Sequence, residues 1–543
     1  MKEHSIDQEN LLVTKAALSP LAEKYHITPP KPALGDNVAD VDRIKRALRV
    51  AYDINHVWSP LSRLGRLSQG LRDADFDATI TLARSEEGGY QIIDLEAGDV
   101  TEANYGLAID LGTTTIVFAL LDMTVGRVIS QVSAVNPQVT YGSDILTRIH
   151  CSAKNEGHLQ LRRAVIDGFN QVIHGLVQAA GIKADNIYSL CVAGNTTMTH
   201  FFLGLDTFHI CREPYIPVVN RPDLTSAGEL GIGIHPAAPC LIMPNVGSYF
   251  GGDLIAGILA SGLDEGDDVS ILVDVGTNAE VVLGNKDWLV ACAGAAGPAL
   301  EGGVAKMGMM AGPGTIERIR IDRRTLKPSY SVIGDIKPIG ICGSGLIDLL
   351  AELFTCGIIN SKGKFILESG CPRLVEDEGI WGYQVVPAAE SGHGRDVIVS
   401  EVDITILLAS KAAMYTILRT ITSTVGLDIH DMAKFYVAGT FGNYIDPEMA
   451  ITIGMIPDLP RDKYQPLMNS SLTGAALALL SAEKRARIPK ICDKITYVEL
   501  NVNAEFMTMF AAAKFIPHTD LSLFPTVTIP KPDAAANRLR AGL

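Results

Sequence analysis

The sequence predicts an α/β fold in which two similar lobes follow a small α+β domain. Residues 105–121 (YGLAIDLGTTTIVFALL) indicate two buried strands joined by a glycine turn. Residues 272–283 (LVDVGTNAEVVL) repeat the order apolar–apolar–Asp–apolar–Gly–Thr when Asp110 is aligned with Asp274. A chain of 543 residues is also too long for one core. We therefore predict lobes at about 104–268 and 269–543, after a domain at 41–103 and a linker at 1–40.

The composition is that of an acidic globular protein, with 47% hydrophobic residues, 20% charged residues and a formal net charge of −15. This charge argues against a nucleic-acid or anionic membrane surface. No run reaches eighteen apolar residues, and the first twelve residues are polar and acidic. We therefore predict no membrane span and no signal peptide.

The nine cysteines are scattered from Cys151 onward, and no two have a C-x₂-C spacing. The sequence therefore shows neither a zinc site nor a ligand set for an iron–sulfur cluster. Buried thiols in a reducing cytoplasm are the expectation.

The first hundred residues predict a small domain after a proline-containing arm. Residues 1–40 are expected to form the arm, with at most one short helix. Helices are expected over 40–49, with Asp40 as the N-cap, and over 60–71; strands are expected over 76–83 and 90–95.

The first Asp-Gly-Thr turn has the residue types that a phosphate group needs. Gly112 allows a close backbone approach, and Thr113, Thr114 and Thr115 offer hydroxyl and N–H groups. Asp110 can hold Mg²⁺ through water or orient an attacking water. One such turn could equally be an ordinary hairpin; the second copy favours two phosphate turns that face one nucleotide.

Other glycine turns follow predicted strands in both halves of the sequence. The candidate anion-binding residues of the first lobe are Gly194, Asn195 and Thr196, at the start of a helix. Residues 244–252 (PNVGSYFGG) lead to Asp253 and a helix at 254–263. Plain strand-to-helix crossovers would explain both stretches.

The second lobe carries the second phosphate turn and two further glycine turns. The second phosphate turn comprises Asp274, Gly276, Thr277 and Asn278. The turn that we expect near the ribose or phosphates comprises Gly343, Ser344 and Gly345, and the turn that leaves room for adenine comprises Gly439, Thr440 and Gly442. A helix over 400–422 is expected to begin with a capping box of Ser400 and Asp403.

The order of these motifs resembles that of the superfamily of acetate and sugar kinases, heat-shock chaperone ATPases and actin. The resemblance implies a two-lobed, duplicated actin-like ATPase fold with ATP and Mg²⁺ as ligands. Asp110 and Asp274 would hold the metal and act in catalysis. Asp253 is a third catalytic candidate, as the base that a kinase of this fold would need.

A narrower resemblance rests on YGLAIDLGTTT, VAGNTTM, GPALEGG, ICGSGLID and VAGTFGNYID. These stretches are similar to those of the reductive activators of corrinoid proteins, which use ATP and an electron to restore Co(II) to Co(I). The resemblance implies a corrinoid protein of a methyltransferase system as partner, with residues 291–303 as a candidate partner surface. The domain at 41–103 resembles the family's middle domain.

The family usually carries an N-terminal [2Fe–2S] ferredoxin-like domain with four cysteines, whereas this sequence has no cysteine before Cys151. An electron-donor protein or a trimmed ferredoxin-like domain is then expected to supply the electron, with 1–40 as the remnant of the linker. Three alternatives remain open: a small-molecule kinase, a chaperone-like reactivating factor and an actin-like filament protein.

Overall fold

The computed structural model describes residues 12–85, 88–154, 156–276, 279–294, 305–498 and 506–530, apart from the side chains of Thr440, Phe441 and Asn443. The chain divides into two compact units. The first comprises residues 1–260 and 470–493, and the second comprises 261–469 and 494–543. Residues 470–493, which we predicted to lie in the second lobe, therefore pack with the first unit.

The first unit opens with a four-stranded sheet that carries two helices. Its elements are β1 (Ala22–Ile27), α1 (Asp40–Tyr52), β2 (Val57–Trp58), α2 (Leu61–Asp73), β3 (Ala78–Arg84) and β4 (Tyr90–Ala97), with strand order β1-β3-β4-β2. Tyr188 of the following lobe donates its hydroxyl to Asp94 and Glu96 of β4, at 3.0 and 2.9 Å. This hydrogen bonding attaches the small sheet to the rest of the unit.

Two expectations for this region are wrong in detail. The arm expected over 1–40 contains β1, a polar edge strand whose hydrophobic signal is weak because only its two end residues are buried. Asp40 is the first residue of α1 and not its N-cap, which is Ala39. The Asp40 carboxylate instead accepts hydrogen bonds from Ser68 and Arg72 of α2.

The first lobe contains a six-stranded sheet in the order β7-β6-β5-β8-β10-β9. Its elements are β5 (Tyr105–Leu111), β6 (Thr115–Asp122), β7 (Arg127–Val135), α3 (Ile145–Ser152), α4 (Gly157–Ala180), β8 (Ile187–Gly194), α5 (Thr196–Leu203), β9 (Thr225–Ser226), α6 (Ala227–Leu230), β10 (Pro239–Ile242) and α7 (Gly252–Ser261). The strands β5, β8 and β10 are parallel, and β6 and β7 extend the sheet as an antiparallel meander.

The remaining strands form a second six-stranded sheet, in the order β21-β20-β11-β12-β13-β22, and two small sheets. They are β11 (Ser270–Val275), β12 (Ala279–Gly284), β13 (Leu289–Gly294), β14 (Thr315–Ile321), β15 (Pro328–Val332), β16 (Gly340–Ile341), β17 (Leu374–Asp377), β18 (Ile380–Val386), β19 (Val397–Ser400), β20 (Phe435–Ala438), β21 (Tyr464–Pro466) and β22 (Ile495–Tyr497).

The remaining helices are α8 (Gly343–Thr355), α9 (Glu401–Thr424), α10 (Gly439–Tyr444), α11 (Pro447–Thr452), α12 (Ser470–Leu480), α13 (Ala482–Lys494) and α14 (Phe506–Ala513). The predicted capping box of α9 is confirmed, because Asp403 N–H donates to Ser400 Oγ and Ser400 N–H donates to the Asp403 carboxylate. Among the described residues, α9 is the one helix long and apolar enough to cross a membrane, yet 72% of its apolar window is buried. Such burial is usual for a core helix.

The two large sheets share one topology over five of their six strands, which confirms the predicted duplication. In each, an antiparallel meander of three strands (β5-β6-β7 or β11-β12-β13) is extended from its first strand by two parallel strands. Thus β8 corresponds to β20, and β10 corresponds to β21. The helices that follow the third parallel strands, α7 and α12, are equivalent in the same way.

Candidate functional site

The first phosphate turn is the hairpin between β5 and β6. Asp110 is the penultimate residue of β5 and is half-buried. Asn136 fixes the turn, since its side chain donates to Gly112 O at 2.9 Å and its backbone N–H donates to Thr114 O at 2.8 Å. A Cβ at Gly112 would lie 2.4 Å from Thr115 O, so only glycine fits. The structure thus holds the turn in one shape beside the Asp110 carboxylate.

The connecting turn lies directly beside it, because Leu111 of β5 and Gly194 of β8 are partners in the parallel ladder. The Asn195 side chain donates to Thr113 Oγ1 at 3.1 Å and accepts from Met198 N at 3.0 Å, which caps α5. Asn195 therefore joins the phosphate turn to the start of a helix.

Asp253 reaches the same edge of the sheet as the second residue of α7, just after the loop that follows β10. A Cβ at Gly251 would lie 2.3 Å from Asn195 Cα and 2.6 Å from Asp253 Oδ1, so this glycine allows the loop to pack against the connecting turn. Thr196 Oγ1 donates to Gly247 O at 3.0 Å and fastens the two segments together. The carboxyl ends of β5, β8 and β10 thus bring together the candidate residues of the first lobe, where ligands bind in open α/β sheets.

Sequence reasoning did not identify two residues at this edge, Asn136 described above and Ser471. Ser471 of α12 donates its hydroxyl to Asp110 Oδ1 at 2.9 Å. Helix α12 was not predicted, because its run of small and apolar residues is buried on all sides and shows no helical alternation of polar and apolar positions.

In the second unit, Asp274 occupies the position in β11 that Asp110 occupies in β5. It is half-buried, and it pairs with Glu280 of β12 and Ala438 of β20. The candidates Thr277 and Asn278 lie outside the described residues; Gly276, which precedes them, is half-buried.

Gly439 lies against this aspartate. Its φ is +76°, and a Cβ at Gly439 would lie 2.8 Å from Asp274 Oδ1. Gly442 packs on the preceding strand, where a Cβ would lie 2.2 Å from Val437 O. Gly439 thus lets the backbone pass close to the second phosphate turn, whereas Gly442 lets α10 pack on the end of β20. The Thr440 side chain lies outside the description.

The Gly343-Ser344-Gly345 turn has a packing role in the described structure. Ser344 Oγ donates to Glu317 O of β14 at 3.0 Å. A Cβ at Gly345 would lie 2.7 Å from Ile316 O of the same strand. These contacts explain the residue types without a ligand.

The donor set suits a magnesium–nucleotide complex better than a metal held by the protein alone. Among the described residues, no group of three or more His, Cys, Asp or Glu residues could hold a metal ion. Mg²⁺ usually takes one or two carboxylates and completes its shell with water and substrate phosphates. Asp110 and Asp274 each stand beside a glycine turn in their own unit, and each is a carboxylate of the kind that such a complex uses.

A duplicated sheet with an aspartate and a glycine turn at each copy's first strand defines an actin-like ATPase fold. Within that class, the chain belongs to the RACo family. The family's linker region matches residues 12–102, its middle region matches 105–266, and its C-terminal ASKHA domain matches 268–528. The small domain that we compared with the family's middle domain therefore matches the linker region, and the first lobe matches the middle region.

Named relatives support this membership. The corrinoid activation enzyme RamQ of Eubacterium limosum is 32% identical over 431 residues, covering 78% of this chain and 72% of the relative. The [Co(II) methylated amine-specific corrinoid protein] reductase of Methanosarcina barkeri is 24% identical over 427 residues, which cover 72% of this chain and 73% of that relative. A solved structure, described as a reductive activator for corrinoid,iron-sulfur protein, is 40% identical with a TM-score of 0.85, covering 97% of this chain and 83% of that chain.

Proposed function

We propose that this chain is an ATP-dependent reductive activator that returns the Co(II) of a corrinoid protein to Co(I) for methyl transfer. The observation that carries the proposal is the likeness, over 97% of the chain at a TM-score of 0.85, to a reductive activator for corrinoid,iron-sulfur protein. The names of the two relatives above also refer to corrinoid proteins. The partner of this chain is then a corrinoid protein of a methyltransferase system.

The reaction transfers one electron to cobalt, and ATP is hydrolysed to ADP and phosphate. The electron comes from an iron–sulfur donor, either a separate protein or a ferredoxin-like domain, because the scattered cysteines of this sequence do not have the spacing of a cluster ligand set. An uphill step of about 240 mV in a one-electron couple costs about 5.5 kcal/mol. The same free energy moves a two-state conformational equilibrium from 1:99 to 99:1. A difference in the affinities of the two conformations for ATP and ADP can supply this free energy.

The proposed ATP contacts use the residues on which the two phosphate turns are built. Asp110 and Asp274 hold Mg·ATP through water, and Asp253 is a third carboxylate for orienting water. The candidates that would contact the nucleotide are Gly112, Thr113, Thr114, Thr115, Gly194, Asn195, Thr196, Gly276, Thr277, Asn278, Gly343, Ser344, Gly345, Gly439, Thr440 and Gly442. The packing contacts of Ser344 and Gly345 make them the weakest members of this set.

The test is ATP hydrolysis with and without a Co(II) corrinoid protein. We expect the corrinoid protein to stimulate hydrolysis. We also expect Asp110→Ala and Asp274→Ala to reduce it at least about hundredfold, because each removes a charge that the bound magnesium needs. The matched control is Asp167→Ala, an exposed aspartate on α4, which should hydrolyse ATP at the wild-type rate.

Circular dichroism of each variant checks that the fold is retained. Wild-type hydrolysis by both folded aspartate variants would refute the site. Phosphoryl transfer to a small-molecule acceptor, with no response to corrinoid proteins, would instead identify a kinase.

A further inference from the structure

The hydrogen bond between Ser471 and Asp110 joins residues that are 361 positions apart in the sequence. Ser471 is the second residue of α12, and its hydroxyl donates to Asp110 Oδ1 at 2.9 Å. We propose that Ser471 is a positioning residue that sets the orientation of the Asp110 carboxylate for Mg·ATP. This inference rests on the proposed ATP-dependent function and adds a residue to its site.

The donor is held in place along the whole of α12. Ser471 is 5% exposed, and the body of the helix is buried. At its far end, Leu479 O and Leu480 O accept hydrogen bonds from Leu21 N and Ser19 N, at 2.8 and 2.9 Å. The half-buried side chain of Arg485 donates to Ala478 O at 2.7 Å. A donor on an element fixed at its far end can hold a strand-end carboxylate in one rotamer.

The direction of α12 adds an electrostatic effect. Ser471 lies in the first turn of an eleven-residue helix, so the N-terminal end of α12 faces the Asp110 carboxylate. The partial positive charge at a helix N-terminus attracts a carboxylate. It therefore acts together with the Ser471 hydroxyl to hold the Asp110 carboxylate toward α12.

The internal duplication allows Ser471 of α12 to be compared with the equivalent residue of α7. Helices α7 and α12 cross where Gly474, the fifth residue of α12, meets Ala256, the fifth residue of α7; a Cβ at Gly474 would lie 2.0 Å from Ala256 O. The equivalent of Ser471 in α7 is therefore Asp253, the second residue of that helix. The duplicated position carries an acid in one copy and a hydroxyl in the other, and the hydroxyl is the group that can donate to a phosphate-turn aspartate.

The experiment compares Ser471→Ala with Ser471→Thr and with the matched control Ser470→Ala. Ser470 is equally buried, but its hydroxyl has no hydrogen-bond partner among the described residues. We expect Ser471→Ala to lower kcat/KM for ATP hydrolysis about tenfold, which is the size of a lost hydrogen bond to a charged group. Ser471→Thr keeps the hydroxyl and should restore most of the rate, and Ser470→Ala should match the wild type.

A second measurement separates positioning from general stability. Calorimetry gives the affinity for ATP in Mg²⁺ and in EDTA. Ser471→Ala should lower the affinity only in Mg²⁺, and it should add no further loss to Asp110→Ala, because the two residues act as one unit.

The inference is overturned if Ser471→Ala behaves like Ser470→Ala, or if its two ATP affinities fall together with the melting temperature. A wild-type chain that neither binds nor hydrolyses ATP would overturn the proposed function as well. If the wild type bound and hydrolysed ATP and Ser471→Ala did so equally well, only the role of Ser471 would be overturned.

Discussion

Gly439 illustrates at the scale of one residue how the second phosphate turn depends on backbone shape. Its φ of +76° is strained for any other residue, and a Cβ there would push against Asp274 Oδ1 at 2.8 Å. We expect Gly439→Ala to lower the free energy of unfolding by about 1–2 kcal/mol and to weaken ATP binding, because the carboxylate must move.

The matched control is Gly426→Ala, which has a similar φ of +71° and no atom within 4 Å of the added Cβ. Thermal unfolding should show a loss for both variants, with the larger loss for Gly439→Ala, whereas calorimetry should show weaker ATP binding only for Gly439→Ala. If Gly439→Ala and Gly426→Ala bound ATP equally tightly, Gly439 would have no specific role in ATP binding.

The positions of individual candidate residues in the fold could be predicted from sequence only where their signal is local. Asp110 and Asp274 stand beside their glycines, so a short pattern contains the whole turn. Ser471 meets Asp110 through tertiary packing, and no pattern of neighbouring residues encodes that contact. Asp40 shows the same limit, because its side chain is used by α2 and not by the helix end that its sequence position suggested.

At the scale of elements, the crossing of α7 and α12 fixes the edge of the first lobe. A Cβ at Gly474 would lie 2.0 Å from Ala256 O, so Gly474→Ala forces the two helices apart. We expect the free energy of unfolding to fall by about 1–3 kcal/mol, the usual cost of overpacking.

Chemical denaturation would measure this loss. The control is Gly65→Ala in the exposed part of α2, where no atom lies within 4 Å of the added Cβ. Alanine there should raise the stability by about 0.5–1 kcal/mol through helix propensity. A stable Gly474→Ala variant would show that the helices do not cross so closely.

Helix α5 holds the loop around Val218 through His200. The imidazole is fully buried, with Nδ1 2.7 Å from Thr196 O and Nε2 accepting from Val218 N at 3.1 Å. Burial lowers the pKa of His200 from its usual 6.5. The unfolded chain then binds more protons than the folded one just below that value, so stability falls as the pH drops below about 6.5.

A protonated Nε2 cannot accept the Val218 N–H. We therefore expect hydrogen exchange of the 215–219 loop, corrected for its intrinsic pH dependence, to accelerate as the pH falls below about 6.5. His200→Gln should remove the pH dependence, and substitution of the exposed His209 by Ala should leave it unchanged. Constant protection in the wild type across this range would contradict the assignment.

Elements with a clear hydrophobic period were predicted, and those without one were not. The long helix α4 and its end at Gly181 follow from periodicity and from a left-handed glycine. Strand β1 was missed because its middle residues are polar and only partly buried. Helix α12 was missed because it is buried on every side. These two elements took their places from tertiary contacts, which a local pattern does not contain.

At the scale of the whole molecule, the duplication and the family could be inferred from the sequence because the motifs recur in a fixed order. The matching sheet topologies confirm the duplication, and the family match over residues 12–102, 105–266 and 268–528 confirms the family. The domain boundaries and the partner surface at 291–303 stay predictions. Residues 295–303 of that surface lie outside the described residues.

The most direct test of the account is anaerobic visible spectroscopy of a Co(II) corrinoid protein mixed with this chain, ATP and an iron–sulfur electron donor. We expect the Co(I) spectrum to appear only when all components are present, and to be lost with Asp110→Ala or without ATP. Co(I) formed equally well without ATP, or by this chain with ATP and NADH and no other protein, would contradict the account.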